Sequence, residues 1–175
     1  MKTDYQAELL DNLYGLSTRR LLSLKQGLGR PLGQPRAATK VFWQSVWPKK
    51  AYRHNLPEAE LAYTLATMFA ADPRQGQATL GQAAAVIRGG SAVAASFEKL
   101  IASETGVVFC QRLTMLQSML ARDGPALDWA QLLKEMLWWE NATWRSQIVA
   151  RWKKEYQEVI SNKMEATDAY SNSRH

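Results

Sequence analysis

The sequence predicts an all-α fold with no significant sheet and about nine helices. Apolar residues return at spacings of three and four, sustained period-2 alternation is missing, and β-branched residues seldom cluster. Short Gly, Pro or polar breaks punctuate the apolar-periodic segments.

Residues 4–15 read as an amphipathic helix with Tyr5, Leu9, Leu10 and Leu13 on one side. Ser17 or Thr18 caps a second helix whose Leu21, Leu24 and Leu28 recur at i, i+3 and i+7, and Gly27 and Gly29 stop it. GRPLGQP is a loop, and a third helix over about 36–47 turns Val41, Phe42 and Val46 inward. After the loop WPKKAYRHNLP, Pro57 is placed to open a helix over 57–71 that ADPRQG ends. ATLGQAAAVIRGG holds a short helix closed by paired glycines, and Ser91 caps the next, over about 91–103.

Residues 107–121 carry the clearest core stripe, Phe109, Leu113, Leu116 and Leu120, before the break at DGP. Asp128 caps a helix over 129–140, and the last helix, about 143–160, repeats Trp144, Ile148, Trp152 and Tyr156 every four residues. The tail has no such stripe. The expected organisation is a basic helical lobe over 1–75, a helical bundle over 76–161 and a disordered tail over 162–175, with the boundary at the polar stretch DPRQGQ.

Composition narrows the function. An apolar share of 46% and a charged share of 22% over 175 residues suit a globular chain. One cysteine, Cys110, and two histidines, His54 and His175, make neither an internal disulfide nor a zinc set, and no cofactor is expected. No apolar run reaches the roughly 18–20 residues of a membrane span, and the acids in MKTDYQAELL do not suit a signal peptide, so a cytoplasmic protein without membrane contact is expected. There is no phosphate-cradling Walker loop, no HExxH and no GxSxG, and the carboxylates are scattered. A non-enzyme without a small-molecule substrate follows.

Charge is distributed unevenly. From Asn12 to Pro57 there is no acid, whereas nine bases occur: Arg19, Arg20, Lys25, Arg30, Arg36, Lys40, Lys49, Lys50 and Arg53. Unopposed charge of this kind suits a polyanion, which would be bound through phosphates with salt-sensitive affinity. Arg88, beside Gly89 and Gly90, and Arg145, Arg151 and Lys154 on the last helix extend the candidate nucleic-acid-binding set. Phe42 is read as core, Trp43 and Tyr52 stand open between core packing and stacking on bases, and Trp129, Trp138, Trp139, Trp144 and Trp152 are read as core or subunit contacts. The alternative is a helical protein–protein adaptor docking through its tryptophan-rich half, with an incidental basic face.

Three segments, in order, carry a resemblance: LSLKQGLGRPLGQP, RGGSAVAASFEKLIAS and ALDWAQLLKEMLWWENATWRSQIVARWKKEY. Together, over about residues 17–158, they resemble the small subunit of the type I-E CRISPR Cascade complex, the CasB family. The resemblance implies two small helical bundles packed together and a non-catalytic role. It implies crRNA and target DNA as partners, together with the backbone and large subunits of Cascade and a second copy of the chain. By position it points to Arg19, Arg20 and Lys25 on the basic helix, Arg30 in the loop and Arg88 in the middle segment. Base pairing would read the sequence while the protein holds backbone.

Overall fold

In the computed structural model, which describes residues 4–49, 56–87 and 90–172, the helices fall close to where apolar spacing puts them. They are α1 (Asp4–Tyr14), α2 (Thr18–Lys25), α3 (Arg36–Val41), α4 (Leu56–Ala71), α5 (Leu80–Val86), α6 (Gly90–Ile101), α7 (Gly106–Asp123), α8 (Trp129–Leu137) and α9 (Ala142–Asn172). Among the described residues there is no strand, only an isolated parallel bridge between Ala78 and Leu127.

Local chemistry explains several boundaries. Thr79 and Gln82 form a reciprocal capping box at the start of α5, and the Asp128 carboxylate accepts from Gln131 N at 2.9 Å at the start of α8. α3 passes into a π-helical turn over Phe42–Val46, closed where Trp47 N donates to Phe42 O at 2.8 Å. The wider turn leaves Phe42, Val46 and Trp47 all buried.

α4 lies at the centre. Ala59, Ala62, Tyr63, Leu65, Ala66 and Met68 are all buried, as befits a helix covered on nearly every side, and α4 packs on α2, α7 and α8. α5 packs on α9 so closely that a Cβ on Gly81 would come within 2.5 Å of Trp152 O. Within α7–α9 the rings of Phe109 and Trp139 stack at 3.9 Å and those of Trp139 and Trp152 at 5.6 Å. One buried apolar cluster runs from Leu9 of α1 to Trp152 of α9.

The polar stretch at 72–77 is tied down by hydrogen bonds. Arg74 grips Asp72 through Nε (2.7 Å) and NH2 (2.8 Å), its carbonyl accepts from Trp129 Nε1 at 2.8 Å, and Gly76 N donates to Leu127 O at 3.1 Å. It therefore joins the α7–α8 connection to α4.

The C-terminal end departs from expectation. Where a disordered tail is expected from residue 162, α9 continues as helix to Asn172. Its span contains neither Pro nor Gly, so nothing in the local chemistry stops it. Lys163 Nζ also donates to Ala85 O (2.7 Å) and Val86 O (3.1 Å), a cation on the carbonyl end of α5.

Candidate nucleic-acid interface

The basic front is built on α2, α3 and the loop between them. α2 is two turns long and holds on through Leu24, which is fully buried, while Arg19, Arg20 and Lys25 are exposed. Arg19 and Arg20 occupy the first turn, which contains no acid, and the N-cap Ser17 makes no side-chain capping bond. Cations there oppose the helix dipole, at a cost of about 0.3–1 kcal/mol each. Arg36 likewise opens α3 behind a Pro35 that cannot cap. Phosphate oxygens would reverse this penalty, because both the orphan amides and the arginines attract an anion.

The loop is held rigidly enough to aim its cation. Gly29 (φ 74°) and Gly33 (φ 107°) adopt left-handed backbone, which glycine accepts without Cβ strain. Tyr63 Oη donates to Gln34 O at 2.9 Å, Leu32 N donates to Glu60 Oε2 at 3.0 Å, and Gly33 N donates to Thr39 Oγ1 at 3.0 Å. Burial pushes the Tyr63 phenol above its usual range, so it stays a donor at neutral pH. Gly27 lies beneath, where a Cβ would collide with Tyr63 Oη. The loop is thereby fixed on α4 and α3, with Arg30 exposed on one side and Arg36 on the other.

Among the described residues none of Arg19, Arg20, Lys25, Arg30, Arg36, Lys40 and Lys49 forms an ion pair, and all seven are exposed. Lys50, Arg53, Tyr52, His54 and Arg88 lie outside the described residues. The aromatic readings resolve toward packing: Phe42 is fully buried, and Trp43 is half-buried with its ring 5.2 Å from Phe42 and 5.7 Å from Trp47.

The second basic cluster behaves differently. Arg145 NH1 donates to Glu104 O at 2.5 Å and to Trp139 O at 3.4 Å, closing the α6–α7 connection against α9. Arg151 NH2 pairs with the buried Glu135 carboxylate, which also accepts from Gln131 Nε2 (2.8 Å) and Trp152 Nε1 (3.1 Å). Arg151 further approaches Glu155 at 3.5 Å. Lys154 is the most exposed of the three at 76%, loosely opposite Glu158 at 3.8 Å, and Arg151 is 42% exposed despite its partners. Arg145 and Arg151 are thus occupied within the fold. Trp129, Trp139 and Trp152 are buried as expected, Trp138 is half-buried, and Trp144 is 47% exposed with its ring 5.5 Å from that of Trp138.

The sequence reading missed Tyr63 and Glu60, the α4 residues that hold the loop. Their only sequence signal is polarity on a helix otherwise rich in apolar residues.

Among the described residues no helix is long and apolar enough to cross a membrane, and no group of His, Cys, Asp or Glu could hold a metal ion. The fold has solved counterparts. The Cse2-family protein TTHB189 from Thermus thermophilus superposes with a TM-score of 0.71 at 22% identity, covering 87% of this chain and 97% of its own. CasB from M. ruber gives a TM-score of 0.72 at 16% identity, covering 92% and 97%. A chain of a CRISPR RNA-guided surveillance complex gives 0.70 at 19%, covering 93% and 96%. A search of the curated proteins finds no match. The model of the CRISPR-associated protein Cse2 family matches residues 21–156, which take in the whole of the loop, α3–α8 and the first half of α9. The chain belongs to the Cse2 family, the CasB family that its sequence resembles.

Proposed function

We propose that this protein is the non-catalytic small subunit of a type I-E Cascade effector in the cytoplasm. Through its basic front it would hold the backbone of the crRNA–target DNA heteroduplex and of the displaced strand, and so stabilise the R-loop in antiviral defence. The observation that carries the reading is the set of seven exposed cations on α2, the loop, α3 and the turn after it, unpaired by any acid among the described residues. A phosphate chain supplies the counter-charge that the protein lacks there. Backbone and large subunits of Cascade and a second copy of the chain are its proposed neighbours; the surveillance complex that contains a similar chain supports this.

The residues assigned to nucleic acid are Arg19, Arg20, Lys25, Arg30, Arg36, Lys40 and Lys49, with Lys50, Arg53, Arg88 and Lys154 as further candidates. Arg145 and Arg151 leave the set because their guanidinium groups serve carbonyls and Glu135. The test is an effector reconstituted with Arg19, Arg20 and Lys25 all changed to Glu, with retention of target DNA measured by filter binding at low salt. Loss of retention with intact assembly supports the reading, and retention equal to wild type contradicts it.

A further inference from the structure

α4 and α7 leave a cleft of about 660 Å³ between them, bounded at one side by the loop at Arg30. It exists because the facing side chains are small: Thr64 and Thr67 from α4, and Gly106, Cys110 and Thr114 from α7. Leu61 and Val107 supply apolar wall, Val107 being 70% exposed.

Two carboxylates line the same cleft. Glu60 Oε2 accepts from Leu32 N at 3.0 Å and Glu140 Oε1 accepts from Gly106 N at 2.6 Å. Among the described residues their other oxygens, Glu60 Oε1 and Glu140 Oε2, accept no hydrogen bond, and neither residue forms an ion pair. Cys110 lines the cleft with them, and burial, with smaller contributions from both carboxylates, holds its thiol at a pKa of about 11. Among the described residues Arg30 is the one cation that lines the cleft. A phosphate entering here would meet two carboxylates and a mostly apolar wall, which separates the cleft in chemistry from the basic front.

We infer that the cleft between α4 and α7 receives an arginine side chain from another protein chain, its aliphatic stem along Leu61 and Val107 and its guanidinium donating to Glu60 Oε1 and Glu140 Oε2. Arginine suits the site because its planar fork offers several donors at once, and because its stem takes apolar cover while its head stays hydrogen-bonded. The inference goes beyond the nucleic-acid reading and shares with the basic front only Arg30 and Glu60, whose Oε2 anchors the loop while its Oε1 faces the proposed guanidinium.

The probe is the peptide acetyl-Leu-Arg-Leu-amide, titrated into the full chain and followed by amide NMR shifts. The amides of Leu61, Thr64, Gly106 and Val107 are expected to move together. The citrulline peptide, which keeps the shape but loses the charge, should bind about tenfold more weakly, as should the arginine peptide against the Glu60→Gln, Glu140→Gln double variant. Equal binding of the arginine and citrulline peptides, no shifts at millimolar peptide, or the same amides responding to a thymidine dinucleotide would each overturn the proposal. Binding that emerges only once Lys50 and Arg53 are both changed to Ala would assign the cleft to the chain's own cations and overturn it as well. The comparison of arginine and citrulline peptides on the unaltered chain leaves the basic front untouched, so the two readings fail separately.

Discussion

The Tyr63 hydroxyl donates to the Gln34 carbonyl at 2.9 Å and, together with the bond from Leu32 N to Glu60, ties the loop that carries Arg30 to the buried helix α4. Tyr63 also packs its ring edge-on to Phe42 at 5.3 Å. One side chain therefore links core, loop and basic front.

Tyr63→Phe keeps the ring packing and removes the loop bond. The expected loss of stability is about 1 kcal/mol. The expected loss of DNA retention in the assembled effector is larger than that of a surface control such as Gln44→Ala. Gly27→Ala should be the more damaging change, because its Cβ must displace the same hydroxyl and the Thr67 methyl. Thermal melts of both variants, beside retention assays, check this order.

Neutralising Arg19 and Arg20 with Gln should leave the melting temperature unchanged or raise it slightly. Both sit in the first turn of α2, where a positive charge opposes the dipole by about 0.3–1 kcal/mol. Weaker nucleic-acid binding with equal or greater stability is a signature that a structural role for these arginines would not produce.

Arg151 and Glu135 behave as a structural pair. Arg151→Ala should destabilise the fold by about 1–3 kcal/mol, because it takes the cation from a carboxylate that is 3% exposed, although Arg151 is itself 42% exposed and Gln131 and Trp152 still donate to Glu135. Changing Glu135 and Arg151 together to Leu should recover most of that loss. At matched folded fraction, DNA affinity should equal wild type in both, as measured by denaturant melts and filter binding.

Cys110 supplies a pH prediction. Its pKa is raised to about 11, mainly by burial, whereas an unfolded thiol ionises near 9. Between those values the unfolded chain releases a proton that the folded chain keeps, so the contribution is complete below pH 9 and is lost as pH rises through 11. Tyr5, raised by burial and by its bond to Glu58, adds loss in the same direction at still higher pH. Melting temperature should fall from about pH 9 to about pH 11, less so in Cys110→Ala. At about pH 7.5 Cys110 should react with a thiol reagent far more slowly than free cysteine.

Helix positions were legible because they are written in local spacing: the stripe Phe109, Leu113, Leu116 and Leu120 is buried as read. The basic front was legible for a different reason, since the absence of acids from 12 to 57 is a property of composition and needs no knowledge of tertiary packing. The roles of Arg145 and Arg151 were not, because their partners depend on packing: Glu104 and Glu135 lie 41 and 16 residues away along the chain. Tyr63 and Gln34 meet across 29 residues for the same reason. The length of α9 escaped because the apolar stripe ends before the helix does, and the helix beyond it is tethered through Lys163 to the end of α5.

The central claim is that phosphates supply the counter-charge of the exposed cations on α2, the loop and α3. Its most direct test is the salt dependence of target-DNA affinity for the assembled effector, wild type against the Arg19→Gln, Arg20→Gln, Lys25→Gln variant. Each phosphate that the variant no longer neutralises should reduce the slope of log affinity against log salt by about 0.7–0.9, so its slope should be shallower by roughly two to three units. Parallel lines of equal slope would contradict the account, because these three cations would then release no counterions on binding.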